Sequence, residues 1–146
     1  MRLTIVAVGK VKDKPLRAAI DEYLGRVRRY APCDEIEIAD APPPKLRDAF
    51  ARATAGADVS IALEIDGRAL SSEAFAREIE RGGARGKGVV AFLIGGADGL
   101  PRDVSAGASA RWSLSPLTFP HRLARLVLAE QLYRAMTILR GEPYGH

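Results

Sequence analysis

The chain has 146 residues, 47% of them hydrophobic and 27% charged, with a formal net charge of +4. That length and mix suit one globular domain over residues 1–146 and leave no room for two ordinary ones. No apolar run is long enough to span a bilayer. The lone cysteine excludes an internal disulfide, and no Cys or His neighbour gives metal-ligand spacing, so neither a membrane role nor a metal site finds support and a cytoplasmic setting is expected.

The opening run 3–8 is continuously apolar and rich in β-branched residues, as in a strand covered on both faces. It ends in Gly9-Lys10 without a small-residue cleavage site, so it reads as a strand and not a signal peptide. Lys10, Lys12 and Lys14 crowd the turn that follows, Arg17 comes next, and Arg26, Arg28 and Arg29 cluster further on. These bases form either a solvated surface or a patch that contacts phosphates. Pro15 opens a helix whose Leu16, Ala19, Ile20, Tyr23, Leu24 and Val27 make one amphipathic stripe. Cys33, after a proline in a turn and without a nearby His, reads as structural.

Ile36 and Ile38 alternate with Glu35 and Glu37, the pattern of a short, more exposed strand near a sheet edge. After Pro42-Pro43-Pro44, the residues Leu46, Ala49, Phe50 and Ala53 predict a short helix ending before Gly56. Residues 59–65 form the next strand, closed by the turn signal Asp66-Gly67, and Ser71 or Ser72 caps a helix carrying Phe75, Ala76 and Ile79. Residues 81–88 are glycine-rich and read as the most flexible loop, before another buried strand at 89–94.

That strand runs into a bare loop, Gly95-Gly96-Ala97-Asp98-Gly99. A short weak helix within 100–110 follows, with Pro101 in its first turn, and then the strand Arg111-Trp112-Ser113-Leu114. A second bare loop comes next, Ser115-Pro116-Leu117-Thr118-Phe119-Pro120-His121. Its prolines fix torsions while small residues leave peptide groups open to something planar and polar. The alternation predicts an α/β domain with a mainly parallel sheet of about five strands, and sites in such sheets lie beyond strand carboxyl ends. The exits after Ile65, Ile94 and Leu114 therefore point to one shared pocket.

The last helix, 122–140, is apolar nearly all round: Leu123, Val127 and Ile138 lie on one side, and Leu128, Leu132 and Leu139 lie opposite. Burial against a second copy would satisfy it, which predicts a homodimer; a central core helix in a monomer is the other reading. Glu130 and Arg134 have the spacing and order to pair.

Taken in order, Ala62-Leu63-Glu64-Ile65-Asp66-Gly67, Phe92-Leu93-Ile94-Gly95-Gly96-Ala97-Asp98-Gly99-Leu100, Leu114-Ser115-Pro116-Leu117-Thr118-Phe119-Pro120-His121 and the tail Pro143-Tyr144 resemble one family. It is the small SPOUT-superfamily 23S rRNA (pseudouridine-N3)-methyltransferases, and the resemblance covers the whole chain. It implies an α/β fold with a C-terminal trefoil knot and a homodimer formed through the knot region. It implies S-adenosylmethionine as cofactor, held mostly through backbone at Leu63, Gly95, Gly96, Leu114, Ser115, Pro116, Leu117, Thr118 and Phe119. The implied substrate is a pseudouridine in a 23S rRNA hairpin at the intersubunit face of the assembled 70S ribosome.

Such a transfer needs alignment and a group that takes the proton of a weakly acidic imide, without a metal or covalent intermediate. His121, Tyr144 and His146 are the candidates, with Glu130 a further one. The family tail commonly runs Pro-Tyr-His, whereas this chain reads Pro143-Tyr144-Gly145-His146. A ribosome-associated factor that no longer catalyses, and a methyltransferase for another RNA such as tRNA, are the alternative readings. A dinucleotide fold is disfavoured because the first strand-to-helix turn carries lysines where its fingerprint has glycines, and a P-loop because the late glycine loop lacks Lys-Ser/Thr.

Overall fold

In chain order the elements are β1 (Arg2–Val8), α1 (Lys14–Val27), β2 (Cys33–Ile38), α2 (Pro43–Ala53), β3 (Val59–Ala69), α3 (Ser72–Gly83), β4 (Val89–Ile94), α4 (Arg102–Gly107), β5 (Ala110–Ser113) and α5 (His121–Leu139). The computed structural model describes residues 1–144. Its strands form one sheet in the order β2-β1-β4-β3-β5, with every pairing parallel.

Side-chain alternation along the two central strands splits the interior in two. Leu3, Ile5 and Ala7 of β1, with Val90, Phe92 and Ile94 of β4, face α1, α3 and α5. Val6, Val8, Ala91 and Leu93 face α2 and α4 through Leu46, Phe50 and Val104. Helix starts follow local chemistry: Asp13 accepts the Leu16 N–H at 3.0 Å, and Ser71 accepts that of Ala74 at 3.1 Å.

Two sequence expectations need correcting. First, β3 does not stop at Ile65 but runs to Ala69, with a register shift against β5 between Leu63 and Arg68. Gly67 permits this, since a Cβ there would lie 2.7 Å from the Trp112 carbonyl carbon. A residue that looked like a turn signal is instead where one backbone passes closely over another. Second, the loop after α3 is tied down: Asp58 accepts the N–H groups of Lys87 at 3.1 Å and Val89 at 2.9 Å. β2 is an edge strand, as its alternation predicted; Ile36 is exposed on it, and Glu35 and Glu37 pair with Arg125 of α5.

Helix α5 lies on the sheet with α1 on one flank and α3 on the other. Leu128, Ala129, Leu132, Ala135 and Met136 are buried there, and Ser72 on α3 donates to the Gln131 side chain at 2.8 Å. Two flanking helices within one chain thus cover much of the apolar surface that argued for a second copy. Leu123 keeps 42% of its surface exposed.

Candidate functional site

The strands are parallel, so all their carboxyl ends meet at one edge of the sheet, and there the two bare loops converge. A cavity of about 160 Å³ is lined by Leu63 and Ile65 of β3, by Gly95, Gly96 and Gly99, and by Leu114, Ser115, Leu117, Phe119 and His121. Most of the residues assigned to a cofactor from the sequence therefore share one cavity. Pro116 and Thr118 belong to the same loop but do not line it. A larger cleft of about 450 Å³ lies across the glycine loop, between α2 and α4, where Arg47 reaches Asp103 at 3.4 Å.

Each loop is shaped by its own residues. A Cβ on Gly95 would lie 2.2 Å from the Gly99 carbonyl carbon and 2.4 Å from the Leu100 nitrogen, so the loop closes on itself and only glycine fits. Gly99 has φ +77°, and its N–H reaches the Gly96 carbonyl at 3.0 Å. In the second loop the Ser115 hydroxyl accepts the Leu117 N–H at 3.0 Å, and the Ser113 hydroxyl donates to the Ser115 carbonyl at 3.0 Å. Leu117 is held outward, 71% exposed, at the rim.

These features suit a methyl donor built from a flat heteroaromatic base and a charged sulfonium. Leu63, Ile94, Leu114 and Phe119 offer apolar walls for the ring. The closed glycine loop puts peptide groups rather than side chains against the ligand, as a hydrogen-bonding edge requires.

The chemical candidates do not all meet. His121 lines the cavity from the first position of α5. Tyr144 lies elsewhere: its hydroxyl donates to Glu130 at 2.9 Å, and its ring packs edge-on against Tyr133 and under Arg134. Burial, then the hydrogen bond to Glu130, push the Tyr144 phenol well above the usual tyrosine range. Glu130 is nine residues beyond His121, about 13 Å along the helix. Its carboxylate also takes Arg134 at 2.9 Å and Gln131 at 2.7 Å, so the expected Glu130–Arg134 pair forms and leaves no free base. His146 lies outside the described residues.

The sequence reading missed a buried charge cluster behind the cavity. Arg125, 3% exposed and one turn after His121, donates to Glu35 and Glu37 at 2.6 Å each and to the Gly9 carbonyl at 3.0 Å. Arg17 joins it, 2.6 Å from Glu35. The available signal was an arginine on the otherwise apolar side of α5 together with a Glu-x-Glu strand, because a buried cation requires a partner.

Solved structures share this fold. The chain superposes on a probable methylase family protein from Haemophilus influenzae with a TM-score of 0.64 at 12% identity, covering 99% of this chain and 70% of that one. The two chains thus share one α/β fold. A family model described as "Predicted SPOUT methyltransferase" matches residues 1–146. Ribosomal RNA large subunit methyltransferase H of Sorangium cellulosum is 75% identical over 146 residues, covering 100% of both chains. The protein of the same name from Shouchella clausii is 44% identical over 158 aligned positions, covering 99% of each. The chain belongs to the SPOUT methyltransferase family, alongside the ribosomal RNA large subunit methyltransferases H.

Proposed function

We propose that this protein transfers a methyl group from S-adenosylmethionine to N3 of a pseudouridine in 23S rRNA, acting in the cytoplasm on the assembled ribosome. The observation that carries this reading is the meeting of the Gly95–Gly99 and 114–119 loops around one apolar-walled cavity, in a chain 75% identical to a protein named for large-subunit rRNA methylation.

Bound S-adenosylmethionine supplies an electrophilic methyl on a sulfonium. The chain's part is placement. Leu63, Gly95, Gly96 and the run Leu114, Ser115, Pro116, Leu117, Thr118 and Phe119 hold the donor, the apolar side chains excluding water and the peptide groups reading the ring edge. The two loops are the strands of a trefoil knot in a single domain over residues 1–146. His121 and the carboxylate of Glu64 both line the cavity, and His121 is the group assigned here to accept the imide proton.

A homodimer fits the remaining geometry. Leu117 and Ile65 are exposed apolar side chains lining the cavity, and Leu123 is exposed on α5, surface that a second copy would cover. It would also bring the tail, with Tyr144 and His146, to a cavity that Tyr144 does not reach within its own chain. Mass spectrometry of 23S rRNA from cells with and without the gene tests the function: loss of one methylated pseudouridine is expected, and an unchanged profile refutes it. Light scattering showing a monomer at micromolar concentration would remove the dimer.

A further inference from the structure

The lysines between β1 and α1 remain unexplained by the cavity. Lys10, Lys12 and Lys14 are all exposed, and none pairs with an acidic side chain among the described residues. Three of the other bases singled out nearby behave differently. Arg17 is bound by Asp21 and Glu35 at 2.7 and 2.6 Å, Arg26 by Glu22 at 2.8 Å, and Arg28 reaches the Cys33 carbonyl at 2.8 Å. Three of these arginines are tied to the fold, while Arg29, at the far end of α1, and the three lysines are left to solvent.

The loop bearing those lysines is held still from beneath. The Gly9 carbonyl accepts Arg125 at 3.0 Å, the Gly9 N–H reaches the Ile38 carbonyl at 2.7 Å, and buried Val11 donates its N–H to Glu37 at 3.3 Å. Anchors thus lie on both sides of Lys10, and Asp13 spends its carboxylate on the helix cap. The loop also adjoins the cavity: Ala7 is in register with Ile94, and a Cβ on Gly96 would come 3.1 Å from a Val8 methyl. Folding alone does not favour this placement. Apart from the Asp13 cap, helix α1 has no acidic residue in its first turn, so Lys14 stands at the positive end of the helix.

We propose that Lys10, Lys12 and Lys14 form a docking surface for the phosphate backbone of the RNA substrate, set by the Arg125 cluster beside the methyl-transfer cavity. The inference rests on the rRNA reading above and adds which face meets the RNA. An ordered, unpaired run of ammonium groups fits a chain of phosphates, since each one engaged releases condensed counterions.

The test is the triple variant Lys10→Gln, Lys12→Gln, Lys14→Gln, assayed on ribosomes from cells lacking the gene. The charge-matched control is Arg52→Gln, Arg85→Gln, Lys87→Gln, exposed bases at the opposite edge of the sheet. The lysine variant should raise KM for ribosomes at least about tenfold and flatten the log–log salt slope by about 2–3, with kcat and S-adenosylmethionine affinity unchanged. The control should match the wild type. Equal KM and slope in the lysine variant, or an equal change in the control, overturns the proposal. Lys12→Glu alone, with its urea midpoint measured, provides a second reading should the triple variant unfold. If wild-type protein methylates no ribosome, the rRNA reading falls and this surface falls with it.

Discussion

Arg125→Met should destabilise the protein by about 2–3 kcal/mol, and the contacts show why the figure is not larger. Removing one member of a buried ion pair costs about 3–5 kcal/mol when the other charge is stranded. Here Glu35 is 13% exposed and Glu37 26%, and Arg17 still reaches them at 2.6 and 3.5 Å, so neither is fully abandoned. Arg125 also carries a buried Nε without a partner, a penalty of about 1–3 kcal/mol that the variant does not bear. Urea unfolding should show a lower midpoint with unchanged slope, and melting should fall by about 5–10 °C for a chain of this size. Arg125→Lys should lose less, because an ammonium can keep one carboxylate and has no Nε. A double-mutant cycle with Glu37→Gln should give a coupling of about 1–2 kcal/mol. A loss below about 0.5 kcal/mol for Arg125→Met, or no coupling to Glu37, would show that the cluster does not hold α5 to the sheet.

Other perturbations separate the loops, the core and the tail. Gly95→Ala places a Cβ 2.2 Å from backbone that cannot rotate away, so calorimetry should find S-adenosylmethionine binding weakened at least about tenfold, or 1.4 kcal/mol; unchanged affinity would remove the loop from the donor site. Burial pushes the Cys33 thiol from an ordinary value near 9.0 up to about 11. The unfolded chain then loses its proton first as pH rises, so stability falls between pH 9 and 11 by about 2–3 kcal/mol, and Cys33→Ala should lack that fall in urea midpoints measured across the range. Tyr144→Phe deletes one hydrogen bond from a Glu130 that keeps Arg134 and Gln131, so stability should change by less than about 1 kcal/mol. Its methyl transfer should nevertheless drop at least about tenfold with donor affinity intact, and full activity would take Tyr144 out of the reaction.

Where the sequence was legible, local chemistry and tertiary packing pointed the same way. The Asp13 and Ser71 caps, the amphipathic stripe of α1 and the buried β1 and β4 needed no knowledge of their neighbours. The failures share the opposite cause. Gly67 carries a turn signature, yet its missing side chain serves the approach of β5, a strand some forty residues later. Glu35 and Glu37 carry a surface signature, yet Arg125 claims them from the far end of the chain. In both places a long-range partner overrode what a short window of residues could express.

The same contrast bears on how the site is assembled. Both cavity loops could be read because glycine and proline write backbone conformation directly into sequence, whereas the proton acceptor could not, because it depends on which elements lie alongside. His121 is fixed at the cavity by its place at the start of α5. Tyr144 is fixed away from it by Glu130, Tyr133 and Arg134. If the cavity holds the donor and Tyr144 takes part in the transfer, a separation of about two and a half helical turns requires either release of the tail or a tail from another copy. Mixing inactive Gly95→Ala protein with inactive Tyr144→Phe protein decides between these. Recovered activity on mixing means that tail and pocket come from different copies of an assembly, and no recovery means that each chain uses its own.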